Sequence, residues 1–155
     1  MTLLRVVLAL CVAAAATSAE AQSRRNRGDD QKKVPQGEKP PPKEQKIFPT
    51  KTSWIAVSLN GKGFPGERPS FVLDEQFRIR GFGGCNTFSA VAYPLREQHF
   101  AVGPFALTKK SCDKAIMDSE RSFLVALRTS AQWDTVEGQL VIKGQNGELR
   151  FERSL

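Results

Sequence analysis

Few residues of this chain could do chemistry: Cys11, Cys85 and Cys112, the single histidine His99, the glycine-rich stretch Gly81-Phe82-Gly83-Gly84-Cys85-Asn86, and Glu120 beside apolar residues. A metal centre would have to draw on Cys85, Cys112 and His99, but no C-x-x-C pair supplies the usual ligand spacing. A serine nucleophile would need a strained G-x-S-x-G turn, and none occurs. His99 lies between Gln98 and Phe100 at an expected strand start and reads as a surface residue. The glycines follow an expected strand, as phosphate-binding loops do. A phosphate cradle must open a helix whose amides face the anion. Thr87 to Tyr93 reads as extended instead, with Pro94 behind it. The glycines therefore serve a sharp turn or a close approach of two backbones. Glu120 reads as a buried acid tied to backbone amides or to Arg80. Trp54, Trp133 and Tyr93 read as core. No catalytic residue, metal site or cofactor is expected.

The thiols point to a compartment. Val6 to Ala16 is an uncharged apolar run of 11 residues behind Arg5, followed by Ala19-Glu20-Ala21. This is the layout of a secretory signal, 1–21, cleaved before Gln22. The run is shorter than the ~20 residues needed to span a bilayer. Lipidation at Cys11 is disfavoured, because Leu10 stands where a small residue is needed. The mature chain then keeps Cys85 and Cys112. An even pair in an exported protein suggests a disulfide; the other reading is two separate small buried residues. Closing that 27-residue separation should stabilise by roughly 3–4 kcal/mol.

Residues 22–46 hold eight Lys/Arg, four Asp/Glu, four prolines and one aliphatic side chain, Val34. Such a segment buries too little apolar surface to offset its ordering entropy. It is expected to be a disordered basic tether, in weak contact at most with an anionic envelope surface. With no basic helix and no interleaved aromatics, nucleic acid is not an expected partner. The whole chain carries +7 and residues 47–155 carry +3.

The elements that must position these residues lie in 47–155. Period-two alternation marks half-buried strands at Ile55/Val57/Leu59, Phe77/Ile79, Phe100/Val102 and Leu149/Phe151. Phe71-Val72-Leu73 and Gln139 to Ile142 are further apolar runs. Asn146-Gly147 is the stronger hairpin signal, Glu137-Gly138 the weaker, and Asn60-Gly61 opens a loop. From Lys114 to Thr129, Ile116, Met117, Glu120, Phe123, Leu124 and Leu127 fall on one helical face. Asp113 sits where an N-cap belongs, its carboxylate available to first-turn amides. Short antiparallel strands with one helix predict a mainly β fold: a partly open barrel or two-sheet roll, the helix packed on it.

Trp54 with Leu59 and Gly61, then Gly81, then Gly84-Cys85-Asn86-x-Phe88 and Tyr93, resemble the first half of a META domain. Phe105 to Cys112 with Thr108, then Glu120, Phe123 and Leu127, resemble its second half. The resemblance runs from about Thr52 to Phe151. One departure is Ala92, where the family often has glycine. The resemblance implies a β-rich fold with one helix and, in bacteria, an envelope protein linked to heat shock. It brings no catalytic residue. The expected function is a monomeric, non-catalytic envelope module binding a protein, peptide or lipid under stress. The alternatives are a structural stress-protective factor without ligand and a thiol-redox protein using Cys85 and Cys112, the latter because Cys112 precedes a helix. A continuous apolar groove with exposed aromatics would favour binding over the ligand-free role.

Overall fold

The computed structural model describes residues 45–154. The expected signal and the arm up to residue 44 lie outside the described residues. The elements are β1 (Ser53–Leu59), β2 (Ser70–Leu73), β3 (Arg78–Phe82), β4 (Thr87–Pro94), β5 (Phe100–Val102), β6 (Ala106–Leu107), α1 (Lys114–Arg128), β7 (Ser130–Val136), β8 (Gln139–Gly144) and β9 (Gly147–Arg153). The strands pair antiparallel in the order β5-β4-β3-β2-β1-β9-β8-β7, and β6 adds to β4. The sheet curls until its two end strands approach. There an isolated bridge links His99, just before β5, to Gln132 of β7. The result is the mainly β, one-helix architecture that the alternation predicted: a barrel closed except along one seam.

The helix closes the interior. It buries Phe123, Leu124, Ala126 and Leu127. Phe123 lies at the centre, edge-on to Phe64 and Phe151 at ring separations of 6.0 and 6.3 Å, and 6.1 Å from Phe88. Phe71 meets Phe151 at 5.0 Å. Such pairs add about 0.5–1.5 kcal/mol each beyond area burial. At the helix end, the hydroxyls of Thr129 and Ser130 donate to the carbonyls of Val125 and Leu127.

Side chains from the residues ahead of β1 pack across the seam. Phe48 is buried and stacks on Phe100 of β5 at 5.2 Å, while Trp133 of β7 meets it edge-on at 4.9 Å. Lys46 donates to the Asp134 carboxylate at 2.6 Å and to the Thr135 carbonyl at 3.0 Å. Lys46, assigned to the tether from composition, is thus pinned to the barrel.

Several local expectations are corrected. In β1 the inward residues are Trp54, Ala56 and Ser58, and Ile55, Val57 and Leu59 are half-buried. A barrel interior filled by one large indole needs a small neighbour, so the phase follows Trp54 rather than the aliphatic run. Phe77 is not in a strand: it sits in the β2–β3 turn at φ 60 and is exposed, its ring tilted against that of Tyr93 at 5.4 Å. Tyr93 is on the outer face of β4 and 45% exposed, so it is not core, whereas Trp54 and Trp133 are. The weaker hairpin signal holds: the β7–β8 hairpin turns on Glu137-Gly138, both at positive φ, which is the tight two-residue form. At the β8–β9 hairpin Gly144 pairs with Gly147, so the turn centres on Gln145-Asn146, one residue earlier than expected. Asp113 occupies the N-cap position but its side chain makes no capping bond. The disulfide at neighbouring Cys112 anchors the helix start instead.

Candidate functional site

The glycine-rich stretch joins β3 to β4, and the chain from β6 to α1 lies beside it. Cys85 and Cys112 form a disulfide, with Cα atoms 6.0 Å apart, which ties the two together. Cys85 is buried and Cys112 exposed.

Glu120 projects from α1 into this join and is buried. Its Oε2 accepts from the backbone N–H groups of Cys85 at 2.9 Å and Asn86 at 2.5 Å, and its Oε1 accepts from Asn86 Nδ2 at 2.9 Å. Of the two partners considered from sequence, backbone amides or Arg80, the amides are the ones in contact. The carboxyl stands in for a missing strand, satisfying amides that the turn turns away from the sheet.

Asn86 completes the join. Its Oδ1 accepts from Thr108 Oγ1 at 2.9 Å and from Lys110 N–H at 2.7 Å. Its Nδ2 donates to Glu120 and, at 3.4 Å, to the Lys110 carbonyl. An amide side chain can make four hydrogen bonds, and Asn86 makes all four. Thr108 Oγ1 also accepts from Thr87 N–H at 3.2 Å. Asn86 thereby clamps both main-chain groups of Lys110 and fixes the path of residues 108–110.

The glycines are needed for close approach. A Cβ on Gly83 would lie 2.8 Å from Glu120 Oε2, and one on Gly81 would lie 2.0 Å from the Ser70 carbonyl. Gly84 takes φ 119 at the turn. Phe88, the next motif aromatic, is buried and edge-on to Phe105 at 5.2 Å. Of the motif residues, Gly81, Gly84, Cys85, Asn86, Phe88, Thr108, Cys112 and Glu120 gather here. Trp54 and Tyr93 do not: Trp54 lies in the core beneath Arg153, 5.6 Å from its guanidinium, and Tyr93 is on the outer sheet face. His99 is exposed at the seam, Nδ1 3.2 Å from the Ala131 carbonyl.

Between this wall and α1 runs a groove of about 630 Å³. Phe105, Leu107, Met117, Leu124 and Val125 form its apolar floor and sides. Lys109, Lys110, Arg121 and Arg128 rim it. Leu107 and Val125 are 45% and 42% exposed, open to a ligand. The sequence reading missed this feature and placed Met117 in the core stripe; Met117 is 37% exposed and borders the groove. The spacing Met117, Arg121, Val125, Arg128 marks a second helix face, about a third of a turn from the core stripe. That face has a partner only once residues 105–111 fold back beside the helix.

A META domain family model matches residues 48–154, which takes in the barrel, the helix and the carboxyl-centred join. The chain belongs to the META domain family. Two solved structures share the fold. An NMR structure of a protein from Burkholderia xenovorans is 20% identical with a TM-score of 0.56, covering 73% of this chain and 96% of that one. Another NMR structure is 22% identical with a TM-score of 0.55, covering 65% and 87%. The comparison with curated proteins returned no match.

Proposed function

We propose that this META-domain protein is a non-catalytic, exported binding module of the cell envelope, serving under stress. The observation that carries the reading is the groove: an apolar floor, open to solvent, beside a wall held rigid by Glu120, Asn86 and the disulfide. Patches of exposed apolar side chains in a concavity of this size are characteristic of ligand sites. The polar motif residues bond to one another and to the main chain, which suits a structural duty better than turnover. The protein acts as a monomer, its basic arm resting weakly on anionic envelope surface, with a protein, peptide or lipid as ligand and no nucleic acid.

Amide NMR of the mature chain, titrated with separated lipid and peptide fractions of envelope, tests this. Shifts concentrated at Leu107, Met117 and Val125, and lost in Val125→Glu, are the expected result. If every fraction leaves those residues unmoved, the ligand-free structural role replaces this reading. Thiol-redox exchange is the second reading, favoured by the exposure of Cys112 just ahead of α1. It requires that a dithiol reductant open the bridge reversibly without unfolding the domain.

A further inference from the structure

We propose that the groove beside α1 takes a single-chain anionic amphiphile, its acyl tail on the apolar floor and its anionic head among Lys109, Lys110 and Arg121. This rests on the binding reading above and names its ligand class.

Three features of the groove select this chemistry. The first is charge. Lys109, Lys110 and Arg121 make no ion pair among the described residues. Of the acids on α1, Asp118 is paired with Lys114 and attracts Arg121 only at longer range, and Glu120 faces inward to the amides of Cys85 and Asn86. Cations on one rim without ion-pair partners favour an anion, and favour it more as salt is lowered.

The second is the floor. Leu107, Met117, Leu124 and Val125 offer no hydrogen-bonding side-chain group apart from the weak thioether acceptor. The strip of α1 from Met117 to Arg128 is about 17 Å long at the helical rise. A peptide laid there would bury backbone N–H and C=O groups without partners, which is unfavourable. The neighbouring strand β6 has two residues, Ala106 and Leu107, one of its edges being taken by β4. An acyl chain asks for no hydrogen bonds.

The third is preorganisation. Lys110 is held at both main-chain groups by Asn86, and Arg121 follows directly on Glu120, which anchors the helix to the wall. The rim cations are thus carried on backbone that need not be ordered when ligand arrives.

The experiment uses the oxidised mature chain and four probes below micelle formation: dodecyl phosphate, dodecyl maltoside, dodecyltrimethylammonium and inorganic phosphate. Amide shifts at Leu107, Val125 and Arg121 are followed, and affinity is measured by calorimetry. Dodecyl phosphate should bind about ten-fold or more tighter than either lipid of the same tail at low salt, with the margin shrinking as salt rises. Inorganic phosphate alone should move none of the floor residues. Lys110→Gln with Arg121→Gln should remove the preference for the anionic head and leave tail-driven binding. Val125→Glu should weaken all three amphiphiles. All three sites are exposed, so the amide spectrum of each variant should stay that of the folded protein. Equal affinity for the three heads, or shifts mapping outside the groove, overturns the proposal. If an acidic peptide fills the groove and dodecyl phosphate does not, the binding module stands and this ligand class falls. If nothing reaches the groove, both fall.

Discussion

Exchanging donor and acceptor between residues 86 and 120 probes the join at its centre. Glu120→Gln keeps the shape and turns one accepting oxygen into an NH2 donor. If the remaining oxygen keeps the amides of Cys85 and Asn86, the new NH2 faces Asn86 Nδ2 across the 2.9 Å that a hydrogen bond now spans. If the side chain turns over, those two backbone N–H groups lose their acceptor. Turning Asn86 instead breaks its bonds from Thr108 and Lys110. Every arrangement leaves buried donors unpaired, at about 1–3 kcal/mol each. Relief from burying a charge offsets part of this. The expected net loss is about 2–4 kcal/mol. Asn86→Asp places two carboxyl groups face to face and should cost a similar amount. The double variant restores a donor at 120 and an acceptor at 86. It leaves the Lys110 carbonyl without its present donor, a contact that is already long at 3.4 Å. It should therefore be more stable than the sum of the singles by about 2 kcal/mol. Urea unfolding of the oxidised protein at neutral pH, with unchanged m-values, measures all four corners of the cycle. A Glu120→Gln protein with the wild-type midpoint, or strictly additive losses, would refute the account of the join.

Three further outcomes follow from the geometry. Replacing both cysteines by serine should lower stability by roughly 3–4 kcal/mol, read from the shift in urea midpoint; a shift below about 1 kcal/mol would mean that other contacts already hold the 27-residue separation. Gly83→Ala forces a methyl to within 2.8 Å of Glu120 Oε2 and should cost more than about 1 kcal/mol, with the Cys85 and Asn86 amides exchanging faster in hydrogen-exchange NMR. At the seam, Phe48→Ala should cost about 3 kcal/mol and expose Trp133, seen as a red shift in its fluorescence.

The seam also carries a pH dependence. The hydrogen bond from Lys46 holds the Asp134 carboxyl below its ordinary 3.8, against desolvation that raises it. A carboxyl lowered in the folded state stabilises fully above its unfolded value. That contribution is lost as pH falls from about 4 through the lowered folded value. With side chains 40% and 49% exposed, the pair is worth under ~1 kcal/mol. Wild type and Lys46→Ala should differ in thermal midpoint at neutral pH and converge in acid; parallel curves down to about pH 2 would exclude the pair as a contributor.

Much of the fold can be read along the chain, because a half-buried strand and a surface helix each write their period into local sequence. The runs at Phe100/Val102 and Leu149/Phe151 are strands with those residues inward, and the helix over 114–128 ends within one residue of its expected end. The motif residues also announced themselves by type: glycines, an asparagine, a threonine and a lone acid among apolar neighbours have few uses except a tight join. Which atoms they touch was not legible, since Glu120 meets Asn86 across 34 residues of chain and Thr108 meets it across 22.

Phase and partnership are where local pattern fails. Ile55, Val57 and Leu59 look like a core face, yet Trp54 and Ala56 point inward, because a closed interior selects for fit across strands and not for apolarity along one. Tyr93 and Phe77 are apolar enough for a core and meet each other outside it. The groove exists only because residues 105–111 return beside α1, a placement set by the disulfide, by Asn86 and by β6 pairing with β4. Composition and periodicity decide that this chain makes strands, one helix and a tight glycine join, since those depend on neighbours in sequence. Closure of the barrel, the strap across its seam and the cation-rimmed groove depend on contacts between distant segments, and these come into being only when the whole chain packs at once.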